Sequence, residues 1–386
     1  VKPRKERVVW SVALTAALVA VVTAELPPRP DWAEGIPAWG RLEVRRRESA
    51  DLGRRLWERG TMVAQDARDR IYVLEPDTGR CTVYSPDGER LERFTPERWE
   101  PLPALPSLRG FAVDGNGSWF VAASRQTVVG FDRRRVRWRA ALPTFVTGVA
   151  LDGSDPVVAR IPASLAPGGP EHARREDHLL VWIDEEGEIR SEAVPSERAR
   201  GPDPLSVAFS QRVLVASDPG GDGLWVVDQT RRYRVRRLSS SGALRASWIS
   251  DREVGPVRFA EEDGRLSEAA AERGLEGAAV RPVAAPELVR DVRARDGLLW
   301  VLARVAGGSV TVVDTFGADV DGPLQRVELV APWPVRQLAV TDDGLWVFPV
   351  DGRGVPLYAE RLPDWRLLEL TAAAAAGRGS GSDRGE

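Results

Sequence analysis

Six aspartates recur in one short phrase: an apolar stretch, then Ala-x-Asp, a turn, and an aromatic-aliphatic strand. They are Asp66, Asp114, Asp152, Asp218, Asp296 and Asp342. Two chemistries suit them. An aspartate before a turn accepts hydrogen bonds from the turn's own backbone. Several carboxylates on one face can instead hold Ca2+, which takes about six to eight oxygen ligands. Asp66, Asp114, Asp152 and Asp218 are the metal candidates, and Ca2+ is the one cofactor the pattern admits.

A second set precedes the first. Arg109, Arg212, Arg290 and Arg336 each stand five or six residues before a repeat aspartate, and Thr61 and Thr147 hold the matching places in the other two repeats. Four guanidinium groups converging there would hold a carboxylate or phosphate through paired hydrogen bonds. Solvated arginines in an arginine-rich chain are the plainer alternative.

Other reactive side chains are few. His172 and His178 stand six apart in a Pro/Gly-rich stretch, which reads as a loop with two histidines. Cys81 is the only cysteine, so neither a disulfide framework nor a cysteine-built zinc site is expected. It reads as a small buried hydrophobe. Asn116-Gly117-Ser118 matches a glycosylation sequon, but the surrounding Asp-Gly-Asn-Gly reads first as a turn. No G-x-S-x-G, H-E-x-x-H, P-loop or C-x-x-C occurs.

The elements that must position these residues form a repeat. The phrase appears at 63–74, 111–122, 149–160, 214–227, 292–303 and 338–349. Its alanines, Ala64, Ala112, Ala150, Ala216, Ala294 and Ala339, are spaced 48, 38, 66, 78 and 45 apart. Three spacings suit a four-stranded propeller blade of about 40–50 residues. The two long ones contain expansions at 161–178 with 195–211, and at 249–286. After most phrases comes a second pattern of strand, Gly/Asp/Ser turn and strand, as in 81–94, 128–140 and 233–247. Period-two alternation on both sides of the turn marks antiparallel hairpins. Each unit therefore supplies four strands. Tyr72, Trp119, Trp225, Trp300 and Trp346 share one place in five of the six repeats and are expected to pack between blades.

On these phrases and hairpins, residues 41–370 resemble the six-bladed β-propellers of the TolB-like and NHL-like superfamily. The resemblance implies an all-β ring of six four-stranded antiparallel blades and leaves the task open, because propellers host many functions. Either 41–47 or 365–370 supplies the strand that closes the ring. Residues 262–279 read as a short helical insertion. Six-bladed lactonases resemble this fold and hold calcium with Glu, Asp and Asn, yet Asn116 is the only asparagine here. Propeller lyases that use several histidines are matched poorly by two histidines in one loop.

The flanks speak of location. Residues 2–7 read KPRKER, and 8–24 form an uncharged apolar run ending Val22-x-Ala24. A basic segment before such a run is the secretory pattern. It is read as a removed signal peptide or an uncleaved membrane anchor, in a helix. Residues 25–40 carry four prolines and read as a linker, and 371–386 as a disordered tail. The chain is therefore expected to be exported, periplasmic or otherwise extracytoplasmic, in a bacterial envelope.

Charge excludes one class. The 54 basic and 57 acidic residues leave −3, against a dedicated nucleic-acid binder. The arginine runs at 133–139 and 231–237 have strand spacing and read as solvated outer faces, with anionic lipid as the functional alternative. The expectation is a non-catalytic module binding an envelope protein or a ligand. A calcium-dependent hydrolase or lyase, or a small-anion binder at an arginine-lined mouth, is the alternative.

Overall fold

The computed structural model describes residues 39–360, apart from 56, 59, 103–109, 125, 143–145, 161–177, 185, 196–211, 218–222, 230–231, 254–286, 306–309, 319, 321 and 350–353. The expected leader, most of the linker, the helical insertion and the tail lie outside these residues.

The chain is a six-bladed β-propeller. Blade 1 contains Met62–Gln65, Ile71–Glu75, Arg80–Tyr84 and Arg90–Phe94; blade 2 contains Gly110–Val113, Trp119–Ala123, Thr127–Asp132 and Val136–Ala141. Blade 3 is built from Val146–Asp152, Asp155–Arg160, His178–Ile183 and Ile189–Pro195. Blade 4 follows with Arg212–Ser217, Leu224–Gln229, Arg232–Leu238 and Leu244–Glu253, the last running into the expected insertion. Glu287–Arg295, Leu298–Val305, Val310–Phe316 and Pro323–Val330 make blade 5; Val335–Val340, Gly344–Pro349 and Leu357–Glu360 make blade 6. Within a blade the strands pair antiparallel in sequence order, and the first strand of each is the inner one. The inner strands neighbour one another around the ring, that of blade 6 lying against those of blades 5 and 1.

Blades 1 to 4 have the expected four strands. Among the described residues blade 5 has five strands and blade 6 has three. The strand Trp39–Glu43 adds to the outer edge of blade 5 in parallel, making five strands there. Two residues on, Arg45 exchanges both backbone hydrogen bonds with Tyr358 on the outer edge of blade 6, each 2.8 Å. So residues 39–45 straddle two blades, and the alternative closing strand, 365–370, lies outside the described residues. The chain then passes to blade 1. Arg47 lies over the Tyr358 ring and pairs with Asp87, and the Leu52 N–H bonds Gly88 O. Ala50, Leu52 and Trp57 complete the apolar core between blades 6 and 1.

The core is divided as the strand period dictates. Each blade is apolar on both faces, and one hydrophobic cluster fills each of the six seams. The repeat aromatics sit in these seams. Tyr72 packs between blades 1 and 2, Trp119 between 2 and 3, Trp225 between 4 and 5, Trp300 between 5 and 6, and Trp346 between 6 and 1. Each thus faces the following blade, and all but Trp119 are buried. Burying one such side chain stabilises by roughly 1.5–3 kcal/mol, so this one repeated position contributes much of the blade-to-blade adhesion.

The hairpin turns add a second contact. Gly242, with φ +80°, tips the blade 4 turn onto Trp182 and Ala193 of blade 3; Gly88, with φ +83°, tips the blade 1 turn onto Trp346 of blade 6. A side chain at either place would enter the neighbouring blade, and the left-handed backbone favours glycine in any case.

Candidate functional site

A cavity of about 340 Å3 lies on the ring axis, beside the turns that join the first and second strands. That is at the small end of ligand pockets, which span about 300–1,000 Å3. The repeat alanines Ala64, Ala112, Ala150, Ala216 and Ala294 line it, so a small residue at one repeat position opens the lumen. The remaining lining is asymmetric. Blades 2 to 4 give mainly Phe111, Val113, Val149 and Val215, with Ser217 and Arg237 from blade 4; blades 5 and 1 give mainly Arg293, Arg295, Asp296, Gln65, Asp66 and Asp69, with Val292 from blade 5.

The polar wall is held by bonds between blades. Arg293 donates from Nε to Leu338 O (2.8 Å) in blade 6 and from Nη2 to Val63 O (3.0 Å) in blade 1. It also pairs with Asp291 at 3.1 Å, whose Oδ2 accepts the Leu338 N–H at 2.8 Å. Burial pushes the Asp291 carboxyl up, against the pull of Arg293, the backbone bonds and Arg336. Arg295 reaches further. Its Nη1 donates to Val340 O (2.9 Å), and its Nη2 meets Asp342 Oδ1 (2.6 Å) in blade 6 and Asp69 Oδ2 (2.7 Å) in blade 1. Its Nε meets the neighbouring Asp296 at 3.0 Å. Three carboxylates therefore share one guanidinium at the cavity mouth.

Asp69 is the buried member of the three, its side chain 11% exposed against 73% for Asp296 and 65% for Asp342. Burial pushes its carboxyl up to about 6; Arg295 pulls it down and Asp342 and Asp296 push it up again.

Most of the repeat aspartates whose bonding is described serve structure. Asp66 accepts the Arg68 and Arg70 N–H groups at 3.0 Å each, the Arg70 side chain at 2.7 Å and the Tyr72 hydroxyl at 3.0 Å. Asp114 accepts the Ser118 N–H (2.6 Å), the Ser118 hydroxyl (2.7 Å) and the Trp119 N–H (3.0 Å). Both oxygens of each are occupied by their own turns. Asp152 stands opposite Asp155 at the next such turn. Among the described residues no group of three His, Cys, Asp or Glu has metal-holding geometry. Asp218 and His172 lie outside the described residues. His178 opens a blade 3 strand, and Asn116 is an exposed turn residue whose carbonyl accepts from Arg70 at 2.7 Å. Cys81 is fully buried, which pushes its thiol up.

The arginine and threonine set is only partly brought together. Arg109 lies outside the described residues, and Arg212 opens the inner strand of blade 4. Arg290, Arg336 and Thr147 share a feature the sequence did not announce. Each is the extra residue of a β-bulge, where the register steps from Val289 to Asp291, from Val335 to Gln337 and from Val146 to Gly148. A bulge re-aims its side chain relative to the ladder, and bulges gather next to sites as well as at sheet edges. Thr147 is buried and gives its hydroxyl to Val213 O across the seam to blade 4; Thr61 gives its own to Glu58 O at 2.8 Å. Arg290 and Arg336 are half-buried, on adjacent blades.

Several arginines of the two runs are held by carboxylates. Arg133 meets Glu92, Arg137 meets Asp132, Arg139 meets Glu100, and Arg236 meets the buried Asp228. Sequence reading missed Gln65, Asp69, Asp291, Arg293, Arg295 and Gln337. One signal was present for three of them: Asp291, Arg293 and Arg295 alternate with apolar residues along an inner strand.

No protein-family model matches the chain, and no curated protein matches it. Solved structures similar to it include BamB from Moraxella catarrhalis, at 11% identity and TM-score 0.42, covering 80% of this chain and 98% of that one. The Neurospora crassa Pan2 WD40 domain aligns at 10% identity and TM-score 0.40, covering 78% and 89%. A streptogramin B lyase aligns at 11% identity and TM-score 0.42, covering 78% and 79%.

Proposed function

We propose that this propeller is a non-catalytic binding module whose receptor site is the axial cavity, and that it works outside the cytoplasm. The two-sided lining supports the first part. A mainly apolar wall of Phe111, Val113, Val149 and Val215, with Arg237 of blade 4 beside it, faces one of Gln65, Arg293 and Arg295, across a space of about 340 Å3. Such a lining suits a small ligand, or a protruding side chain of an envelope protein partner, with one apolar and one hydrogen-bonding flank. The arginines and aspartates of that wall hold blades 5, 6 and 1 together, so they are fixed in place before any ligand arrives. Preorganised polar groups recognise at low entropic cost. Export rests on the basic segment 2–7 and the apolar run 8–24, read as a cleaved signal or an anchor in the membrane.

Ala112 and Ser217 line the cavity without being buried. The test is a thermal-shift screen of small amphipathic compounds on the full chain, repeated on Ala112→Leu/Ser217→Leu. Stabilising compounds that lose their effect in this variant support the cavity. Compounds that keep it there, but lose it in Leu244→Asp/Ile249→Asp on the exposed outer strand of blade 4, would move the site to the outer edge.

The second reading places a small anion at Arg290 and Arg336, on the ground that both occupy bulges on neighbouring inner strands. Phosphate or a dicarboxylate should then raise the melting temperature of wild type but not of Arg336→Gln. An equal shift in both would end that reading.

A further inference from the structure

Arg295 stands at the junction of blades 5, 6 and 1. Blades 1 to 6 follow one another along the chain, so blade 6 does not lead into blade 1, and it is the chain before blade 1 that bridges the two. On the outside the seam between them is covered by residues 45–57. On the inside it is held by side chains: Arg293 and Arg295 each reach from blade 5 to blades 6 and 1, and Arg295 does so through the carboxylates at the cavity mouth. The groups facing Asp69 come from every element packed against it. Blade 5 supplies Arg295 and Asp296. Blade 6 supplies the Asp342 carboxylate and the Asp342 N–H, which donates to Asp69. Its own blade supplies Gln65, whose Nε2 donates to Asp69 Oδ1 at 3.3 Å, and Asp66 with Arg70 just beyond.

With Asp69 ionised, three negative charges surround one positive charge, and only Asp69 is withdrawn from water to meet it. Asp296 and Asp342 are exposed to solvent. Asp69 is where a proton most reduces the crowding. We propose that Arg295 and Asp69 form a proton-responsive clasp: proton uptake by Asp69 relieves the carboxylate crowding at Arg295 and tightens the junction of blades 5, 6 and 1 at the cavity mouth. The mouth is firm in mild acid and loosens above neutrality. This names a regulation of the proposed binding site, yet its test needs no ligand, so either idea can fail alone.

The sign follows from linkage. A carboxyl whose folded-state affinity for protons exceeds its unfolded one adds stability at low pH, and that stability is lost as pH rises through its folded-state titration near 6. The experiment is the melting temperature of the full chain from pH 5 to pH 8, with amide hydrogen exchange of the peptides around Asp69 and Asp342. His172 and His178 are common to wild type and variant, so any share of theirs cancels in the difference. Wild type minus Asp69→Asn is expected to fall as pH rises through 6, with exchange at both peptides speeding up in wild type alone. Asp342→Asn, exposed and therefore safe for folding, is expected to shift the midpoint to lower pH by removing one competing charge. A pH dependence identical in wild type and Asp69→Asn overturns the clasp. So does an unmoved midpoint in Asp342→Asn, which decides the matter if Asp69→Asn does not fold.

Discussion

Gln65 and Gln337 reach across the seam between blades 1 and 6 in opposite directions, each binding the other's strand. Gln337 accepts the Val63 N–H at Oε1 (2.7 Å) and donates from Nε2 to Thr61 O (3.0 Å). Gln65 accepts the Val340 N–H (3.0 Å) and donates to Val340 O. Each amide thus stands in for a peptide group between inner strands of separate sheets. The seam between blades 1 and 6 is laced on the inside by two side chains of the right length.

Truncating either glutamine leaves buried peptide groups unpaired. Gln337→Ala should destabilise by about 1–3 kcal/mol, with Gln337→Glu no better, because its carboxylate cannot donate to Thr61 O. Urea denaturation of single and double variants checks this. A loss in Gln65→Ala/Gln337→Ala that equals the sum of the single losses would mean the two amides act independently.

Asp66 tests structural against metal roles. Its carboxylate holds Arg70 and the Tyr72 hydroxyl, so Asp66→Ala leaves a cation and a phenol without their partner. The expected cost is about 3–5 kcal/mol, the range for breaking a buried ion pair. Calcium should not change the melting temperature of wild type. A calcium-dependent rise lost in Asp66→Asn would restore the metal reading.

Asp314 and Arg326 form a buried two-pronged pair in blade 5, at 2.5 and 2.6 Å, with side chains 0% and 4% exposed. Asp314→Ala alone should be strongly destabilising, because it takes the paired carboxylate from a buried guanidinium. Asp314→Leu/Arg326→Met should be far milder, by about 2 kcal/mol or more, since it removes both charges together. Equal losses would show that the pair's worth lies in geometry rather than charge balance.

At Gly242, a Cβ would stand 2.8 Å from Ala193 Cβ in blade 3, on a backbone already at φ +80°. Gly242→Ala should cost about 1–3 kcal/mol through overpacking. Cleavage by protease should rise first in blades 3 and 4 if the damage is local to that seam.

Cys81 is buried, with its thiol held protonated by its apolar surroundings. Alkylation by iodoacetamide at pH 8 should track unfolding, being negligible in the native protein and complete in denaturant. Rapid labelling of the native protein would mean that the seam between blades 1 and 2 opens.

The sequence by itself determined the ring. Six copies of one phrase and their hairpins fix strand order within a blade, because the turns are local and the two-residue period sets which side chains are buried. It also determined the place of Tyr72, Trp119, Trp225, Trp300 and Trp346, since a bulky apolar side chain at one repeat position must meet the same seam each time. The turn bonding of Asp66 and Asp114 was legible for the same reason: donor and acceptor lie within a few residues. Only the tertiary structure decided the rest. Arg295 meets Asp69 across 226 positions of sequence, and Gln337 meets Thr61 across 276. No spacing rule reports such pairs, because closure of the ring, not local geometry, brings them together. The bulges at Thr147, Arg290 and Arg336 were hidden too, since one extra residue in a strand changes direction without changing composition. The sequence offered 41–47 and 365–370 alike as the strand that closes the ring. Only the tertiary structure showed residues 39–43 pairing with blade 5 and Arg45 with blade 6, because such pairings are between segments far apart in sequence.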